Sequence, residues 1–317
     1  MNLLSAENLS KAYGERILFS GLTFGINQGQ KIALVARNGT GKSTLLDILA
    51  GKQPPDEGLV TFRKGLKIGY MEQDPGLDPG LTVAETLFAS DNEGVQIISR
   101  YEAALQRPED EKAYQKAFEA MERANAWDLE TRFRQILSKL DLHDHGALVG
   151  ELSGGQRRRL ALAHVLIDTP DLLILDEPTN HLDLGMIEWL EEYFKQHTGT
   201  LFMVTHDRYF LDRVCNQILE LEDGELYTYK GNYSDYLREK ESRETLMEVT
   251  NKKTRALYRK ELEWMRRQPK ARTSKSKARI EDFHTLKELA HQRRTAHQVE
   301  LEINMERLGS KVVELHL

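Results

Sequence analysis

The 317 residues include one cysteine, Cys215. No internal disulfide can form, and a single thiol suits a reducing compartment. No apolar run approaches the roughly 20 residues that a membrane-spanning helix needs, so the chain is not expected to cross a bilayer. The opening Met1-Asn2-Leu3-Leu4-Ser5-Ala6-Glu7 lacks the basic-then-apolar layout of a signal peptide. These absences make a soluble protein of the cytoplasm the expectation. What is present excludes other classes. Apolar residues make up 40% and charged residues 30%, enough for a packed core and unlike a disordered or collagen-like chain. The length points to one large domain with an appendage, or to two domains.

The net charge of −6 is unevenly spread. From Lys252 to Arg279 there are 12 Lys and Arg against Glu261 and Glu263, a local charge of +10. Residues 280–317 carry −2, and the first 251 residues carry −14. An acidic body joined to a basic segment suggests two units with different partners, nucleic acid being a candidate for the basic one. A solvated charged helix gives the same composition, so motifs must decide.

Short apolar runs rich in β-branched residues recur through the first 230 residues: Lys31–Ala36, Leu59–Phe62, Leu66–Met71, Leu172–Asp176, Leu201–Thr205 and Gln217–Leu221. Several end at polar or Gly-rich turns that lead into helical patterns, which predicts an α/β body with a largely parallel central sheet. Residues 81–165 read as a helical subdomain inserted between strands. After Gly231-Asn232-Tyr233 the character changes. Residues 234–268 contain no Gly or Pro, predicting a helix of about 30 residues and roughly 45 Å. Pro269 and a basic run break it, and a second helical stretch follows from Lys277 to Leu308. Residues 234–309 are thus expected to form an antiparallel helical hairpin. The closing residues 310–317 resemble the opening Asn2–Leu9 and are expected to begin a second copy of the body.

Three local motifs carry phosphate chemistry. Ala36-Arg37-Asn38-Gly39-Thr40-Gly41-Lys42-Ser43 lies between a strand and the helical pattern starting at Thr44, the setting of a phosphate-binding loop. Its glycines let backbone N–H groups curl around phosphates at a helix N-terminus. Lys42 would reach the β- and γ-phosphates, and the Ser43 hydroxyl would ligate Mg²⁺. Ala36 stands where this motif usually has Gly, so it must avoid a glycine-only conformation. The second motif is the buried strand ending in Asp176 and Glu177, which would put one carboxylate near the metal and the other beside the γ-phosphate. A solvated acidic turn would read the same if it stood alone. Leu152-Ser153-Gly154-Gly155-Gln156 then opens a helix, either as a second anion-binding N-terminus or as a plain capped start.

Together with Leu173–Asp183 and Val204-Thr205-His206-Asp207-Arg208, these motifs resemble an ABC-type ATPase. The resemblance implies a P-loop ABC nucleotide-binding domain over residues 1–233, with a mixed sheet and a helical subdomain. An antiparallel helical hairpin follows it. It implies that ATP is held by Tyr13, stacked on adenine, and by Arg37, Asn38, Gly39, Thr40, Gly41, Lys42, Ser43 and Thr44. Mg²⁺ would be held by Ser43, Gln73 and Asp176. Gln73 would sense the metal and the attacking water, Glu177 would polarise that water, and His206 would contact the γ-phosphate. Asp183 would form the D-loop. Ser153, Gly154, Gly155 and Gln156 would complete the phosphate site of another nucleotide domain, either the missing half of a longer chain or a second copy of this one.

The form Glu177-Pro178-Thr179-Asn180-His181-Leu182-Asp183 resembles the ABC-F family of soluble tandem ATPases. Gly231–Leu237 and the basic stretch from Trp264 to Arg272 are similar to that family's linker, especially in Uup-like members. This implies action on the ribosome, with rRNA or tRNA met by Arg266, Arg267, Lys270, Arg272, Lys275, Lys277 and Arg279. A DNA-binding ATPase of repair or replication is the alternative, since the same hairpin suits branched DNA. An ATPase subunit of a membrane transporter fits less well, because such subunits have no use for a basic hairpin. Copurification with ribosomes, DNA or membranes would separate the three.

Overall fold

The computed structural model describes residues 1–90, 92–107, 109–266 and 277–291. A compact unit spans Met1–Lys240, and a second begins at Glu241. The strands of the first unit are β1 (Asn2–Tyr13), β2 (Arg16–Asn27), β3 (Lys31–Ala36), β4 (Glu57–Phe62), β5 (Ile68–Met71), β6 (Leu172–Asp176), β7 (Thr200–Val204), β8 (Gln217–Glu222) and β9 (Glu225–Lys230). Six of them form the central sheet in the order β5-β6-β7-β3-β8-β9. Every pairing in it is parallel except that of β9 with β8. The other three form a separate antiparallel sheet, β2-β1-β4. The run Leu59–Phe62 therefore lies outside the central sheet, because β4 pairs with β1 from Leu4↔Phe62 onwards.

Burial explains the central sheet. All five residues of β6 and all five of β7 are buried, as expected of parallel strands covered on both faces. Alternate side chains serve two cores. Leu173, Leu175, Leu201 and Met203 pack with the helical side, while Leu172, Ile174, Phe202 and Val204 pack with the antiparallel sheet. Phe202 is fully buried and stacks on Phe24 of β2, with ring centroids 6.2 Å apart. Phe202→Ala should cost about 3–5 kcal/mol by leaving a cavity between the sheets. Urea unfolding followed by far-UV circular dichroism would show the lowered midpoint, and an unchanged one would mean the sheets close over the gap.

The helices α1 (Lys42–Leu49), α2 (Val83–Phe88), α3 (Glu93–Leu105), α4 (Glu111–Ala124), α5 (Trp127–Lys139), α6 (Gly154–Ile167), α7 (Leu184–Gln196) and α8 (Arg208–Val214) complete the first unit. Helices α2 to α6 make the expected helical subdomain. Local chemistry fixes their ends, as in the capping box of Thr82 with Glu85 at the start of α2. Stacking of Phe88 on Phe133, at 5.2 Å, ties α2 to α5.

Helix α9 (Tyr233–Arg266) starts inside the first unit. Tyr236 is buried and donates to Glu220 at 2.8 Å. Tyr229 donates to the same carboxylate at 3.1 Å, and Lys240 pairs with it. One buried acid on β8 therefore anchors the root of the helix. In the second unit Tyr258 of α9 stacks on Phe283 of α10 (Lys277–His291), with centroids 5.5 Å apart. Of the expected nucleic-acid contacts, Arg266 is exposed at the end of α9, and Lys277 and Arg279 lie on α10. Arg267, Lys270, Arg272, Lys275 and residues 310–317 lie outside the described residues. No helix among the described residues is long and apolar enough to cross a membrane.

Candidate functional site

The chemistry-bearing residues sit where the strands of the central sheet end. The phosphate loop follows β3, Gln73 follows β5, Asp176 and Glu177 end β6, and His206 follows β7. Because these strands are parallel neighbours, one end of the sheet collects all four segments, the usual place for a ligand in an open α/β sheet. They line a cleft of about 520 Å³ with Tyr13, Asn38, Gly39, Gly41, Lys42, Ser43, Thr44 and Asn180. Arg37 and Thr40 instead line an adjoining cleft with Arg16.

The loop can take its shape because of its glycines. Gly41 has a φ of 90°, and a Cβ there would come within 2.9 Å of Leu18. Ala36 avoids this region and simply ends β3, so its methyl group is tolerated. Lys42 Nζ donates to the Ala36 carbonyl at 3.1 Å and to Asn38 Oδ1 at 3.2 Å. Burial lowers the pKa of its ammonium group, opposed by the charges of Glu177 and Asp176. Arg16 Nη2 donates to the Gly39 carbonyl at 2.7 Å and holds the loop from outside.

Asp176 is 3% exposed and its Oδ2 has no hydrogen-bond partner. Burial raises its pKa, while the Ser43 hydroxyl and the Lys42 ammonium act in the opposite sense. An orphaned carboxylate oxygen next to a serine hydroxyl fits Mg²⁺, which takes one or two protein oxygens and completes its shell with water and phosphate. Glu177 is 8% exposed and sits at a φ of 54°. Its Oε1 lies 3.5 Å from His206 Nε2, and its Oε2 accepts from the His206 backbone N–H at 3.3 Å. Burial is the main reason its pKa is raised, with the His206 contacts opposing. A buried carboxylate facing an imidazole can accept a proton from water.

Tyr13 ends β1 and is 56% exposed, its ring free to take a stacking partner and its hydroxyl 3.5 Å from Gln53 Oε1. The Ser153-Gly154-Gly155-Gln156 segment does not line the cleft. Ser153 caps α6, with a Gln156 N–H to Ser153 Oγ bond of 3.2 Å and a return bond of 2.9 Å. Nothing lies within 4 Å of a Cβ built on Gly154, which leaves that helix start open. Asp183 caps α7 by accepting from the Met186 N–H at 2.8 Å. Asn180, Arg16 and Leu18 are additions that the sequence reading missed. Asn180 carried a signal, being inside the Glu177–Asp183 motif, whereas Arg16 and Leu18 sit in an unremarked hairpin.

A family profile described as ABC transporter matches residues 19–180, and a second with that description matches residues 219–301. YfmR of Bacillus subtilis, an uncharacterized ABC transporter ATP-binding protein, is 44% identical over 321 residues, or 99% of this chain and 51% of its own length. The energy-dependent translational throttle protein EttA of Haemophilus influenzae is 38% identical over 309 residues, 95% of this chain and 56% of its own. EttA of Escherichia coli K12 is 36% identical over 312 residues with the same coverage. The chain thus spans about half the length of these curated relatives. Among solved structures, the ATP-binding subunit of an ABC transporter superposes with a TM-score of 0.56 at 22% identity, covering 72% of this chain and 90% of the other. A dimeric ATP-binding cassette in a post-hydrolysis state with ADP and Pi gives a TM-score of 0.52 at 25% identity, covering 72% and 98%. The chain belongs to the ABC transporter family, and its first unit has that family's P-loop nucleotide-binding fold.

Proposed function

We propose that this chain binds and hydrolyses ATP and acts on the ribosome as part of an ABC-F protein of the cytoplasm. The observation that carries the ATPase reading is the convergence of Lys42, Ser43, Gln73, Asp176, Glu177 and His206 on one cleft. Arg37, Asn38, Gly39, Thr40, Gly41 and Thr44 shape the loop around the phosphates, and Tyr13 stacks on adenine. Ser43, Asp176 and Gln73 would hold Mg²⁺, whose charge would offset that of the phosphate oxygens. Lys42 leaves its carbonyl partner for the β- and γ-phosphates. Glu177 takes a proton from the attacking water, and His206, fixed by its contacts with Glu177, orients the γ-phosphate. Ser153, Gly154, Gly155 and Gln156 act on the site of a second nucleotide domain, with Asp183 between the two sites. That domain belongs to the same longer protein or to a second copy, and closure of the pair follows ATP binding.

Similarity to EttA, a translational throttle by name, supports a role in translation. The charge of +10 between Lys252 and Arg279 supports contact with rRNA or tRNA. Gly231–Leu237 and the basic linker support the narrower, Uup-like reading. The test is a salt titration of ribosome binding. Five contacts with single-stranded phosphates would give a slope of about −3.5 in log K against log salt. Replacing Lys270, Arg272, Lys275, Lys277 and Arg279 together with Ala should weaken binding and flatten that slope while ATP binding survives. Equal slopes would leave the hairpin a spacer, and a slope lost on branched DNA but kept on ribosomes would favour a DNA target.

A further inference from the structure

Two buried hydroxyls lie behind the cleft. Thr179 Oγ1 and Thr205 Oγ1 are 3.0 Å apart. The residues are 7% and 6% exposed, and neither lines the cleft. Thr179 follows Glu177 in the loop after β6, while Thr205 follows β7 and precedes His206. Their bond therefore joins the two loops that carry the carboxylate and the imidazole.

Further hydrogen bonds fix the loop that Thr205 belongs to. The Thr205 oxygen accepts from the Asp207 backbone N–H at 3.2 Å. A hydroxyl has two lone pairs and one proton, so one lone pair and the proton remain. The Thr179–Thr205 bond takes up one of these and closes the tie between the two loops. Glu177 is tied to the Thr205 loop as well, its backbone N–H donating to the Val204 carbonyl at 2.8 Å and its Oε2 accepting from the His206 backbone N–H at 3.3 Å. Glu177 has need of such support. Its backbone is in the left-handed region, at a φ of 54°, which a residue with a side chain keeps only where its surroundings impose it.

We propose that the Thr179–Thr205 hydroxyl pair is a positioning device that aims the Glu177 carboxylate and sets its spacing from His206. It rests on the reading of Glu177 as the water-activating group. Neither threonine touches the nucleotide; both act through Glu177. Val at either position keeps the branched shape and removes the hydroxyl. The Thr179 variant is the cleaner one, because it leaves the Asp207–Thr205 bond in place.

The experiment measures Mg-ATP turnover, ATP affinity and the nucleotide-free melting midpoint in the full-length protein. The variants are Thr179→Val, Thr205→Val, the double variant, Thr179→Ser and Glu177→Gln. A small misplacement of a reacting group costs up to about 100-fold. Thr179→Val should therefore lower kcat about 10- to 100-fold with KM and the midpoint unchanged, and Thr179→Ser should restore it. The double variant should be no slower than Thr205→Val, since both substitutions break the same bond. Wild-type kcat in both Val variants, alongside a slow Glu177→Gln, would overturn the positioning role alone. So would multiplied losses in the double variant, or losses shared equally by kcat, affinity and the midpoint. A Glu177→Gln enzyme at the wild-type rate would overturn the reading of Glu177 itself, and this role with it.

Discussion

Replacing Glu177 with Gln should lower ATP turnover by about 10²–10⁴-fold, the usual cost of losing one general base, and leave ATP bound. The carboxylate is buried against His206, with Oε1 3.5 Å from the imidazole Nε2. Burial disfavours its charged form and raises its pKa, which makes it a better proton acceptor than a solvated glutamate. A Gln side chain has the same length and can still accept from the His206 N–H with its amide oxygen. It cannot take a proton from water. The substitution also removes one negative charge from beside Lys42, which Glu177 helps to keep protonated, so phosphate binding should tighten rather than weaken. Lys42, Ser43 and Asp176 remain to hold the nucleotide. Single-turnover hydrolysis in the full-length protein, together with retention of radiolabelled ATP through gel filtration, checks both halves of the expectation. Turnover at the wild-type rate would mean that another group activates the water.

The elements around this carboxylate were the most legible part of the sequence. The apolar runs Lys31–Ala36 and Leu172–Asp176 coincide with β3 and β6, because a parallel strand covered on both faces is a continuous apolar run that stops where the loop begins. The two longest strands, β1 and β2, carry no such run. Alternation in β1 fails at Ala6/Leu9, where the register shifts and Asn8 takes a φ of 52°. A bulge of this kind turns the side chains that follow to the other face. The partner of β4 could not be read either, since Leu59–Phe62 resembles the central strands and only its pairing with β1 assigns it to the other sheet.

The cleft divides in the same way. Lys42, Ser43, Asp176 and Glu177 lie in motifs whose spacing expresses their chemistry. Gln73 and His206 have no local signal beyond a strand end, and only the family resemblance marked them. Arg16 is 23 residues from the carbonyl it holds, and Thr179 is 26 from its hydroxyl partner. Such pairs arise from the order of strands in the sheet, which no window of sequence contains.

Lys42→Ala should abolish measurable ATP binding. Lys42 is the only Lys or Arg lining the cleft among the described residues, where it faces the carboxylates of Asp176 and Glu177. Its ammonium now donates to the Ala36 carbonyl and the Asn38 side chain, both part of the loop that would wrap the phosphates. It can therefore exchange these neutral partners for phosphate oxygens with little movement. A charge-assisted hydrogen bond contributes about 1.5–3 kcal/mol, and 1.4 kcal/mol is a factor of ten in affinity. Losing two such bonds, one to each terminal phosphate, weakens binding by about 10²–10⁴-fold. The two carboxylates would then oppose the polyphosphate without the Lys42 ammonium to offset them, so the true loss should sit toward the upper end. The fold should survive, because Lys42 is part-buried at the start of α1 and the hydrophobic face of that helix, Leu45, Leu46, Ile48 and Leu49, is untouched. Calorimetric titration with Mg-ATP, alongside a circular-dichroism melt of the same sample, separates lost binding from lost structure. Undiminished affinity in a folded Lys42→Ala protein would remove this loop as the nucleotide site. Affinity lost for ATP but kept for adenosine would locate the defect at the phosphates and leave Tyr13 as the adenine contact.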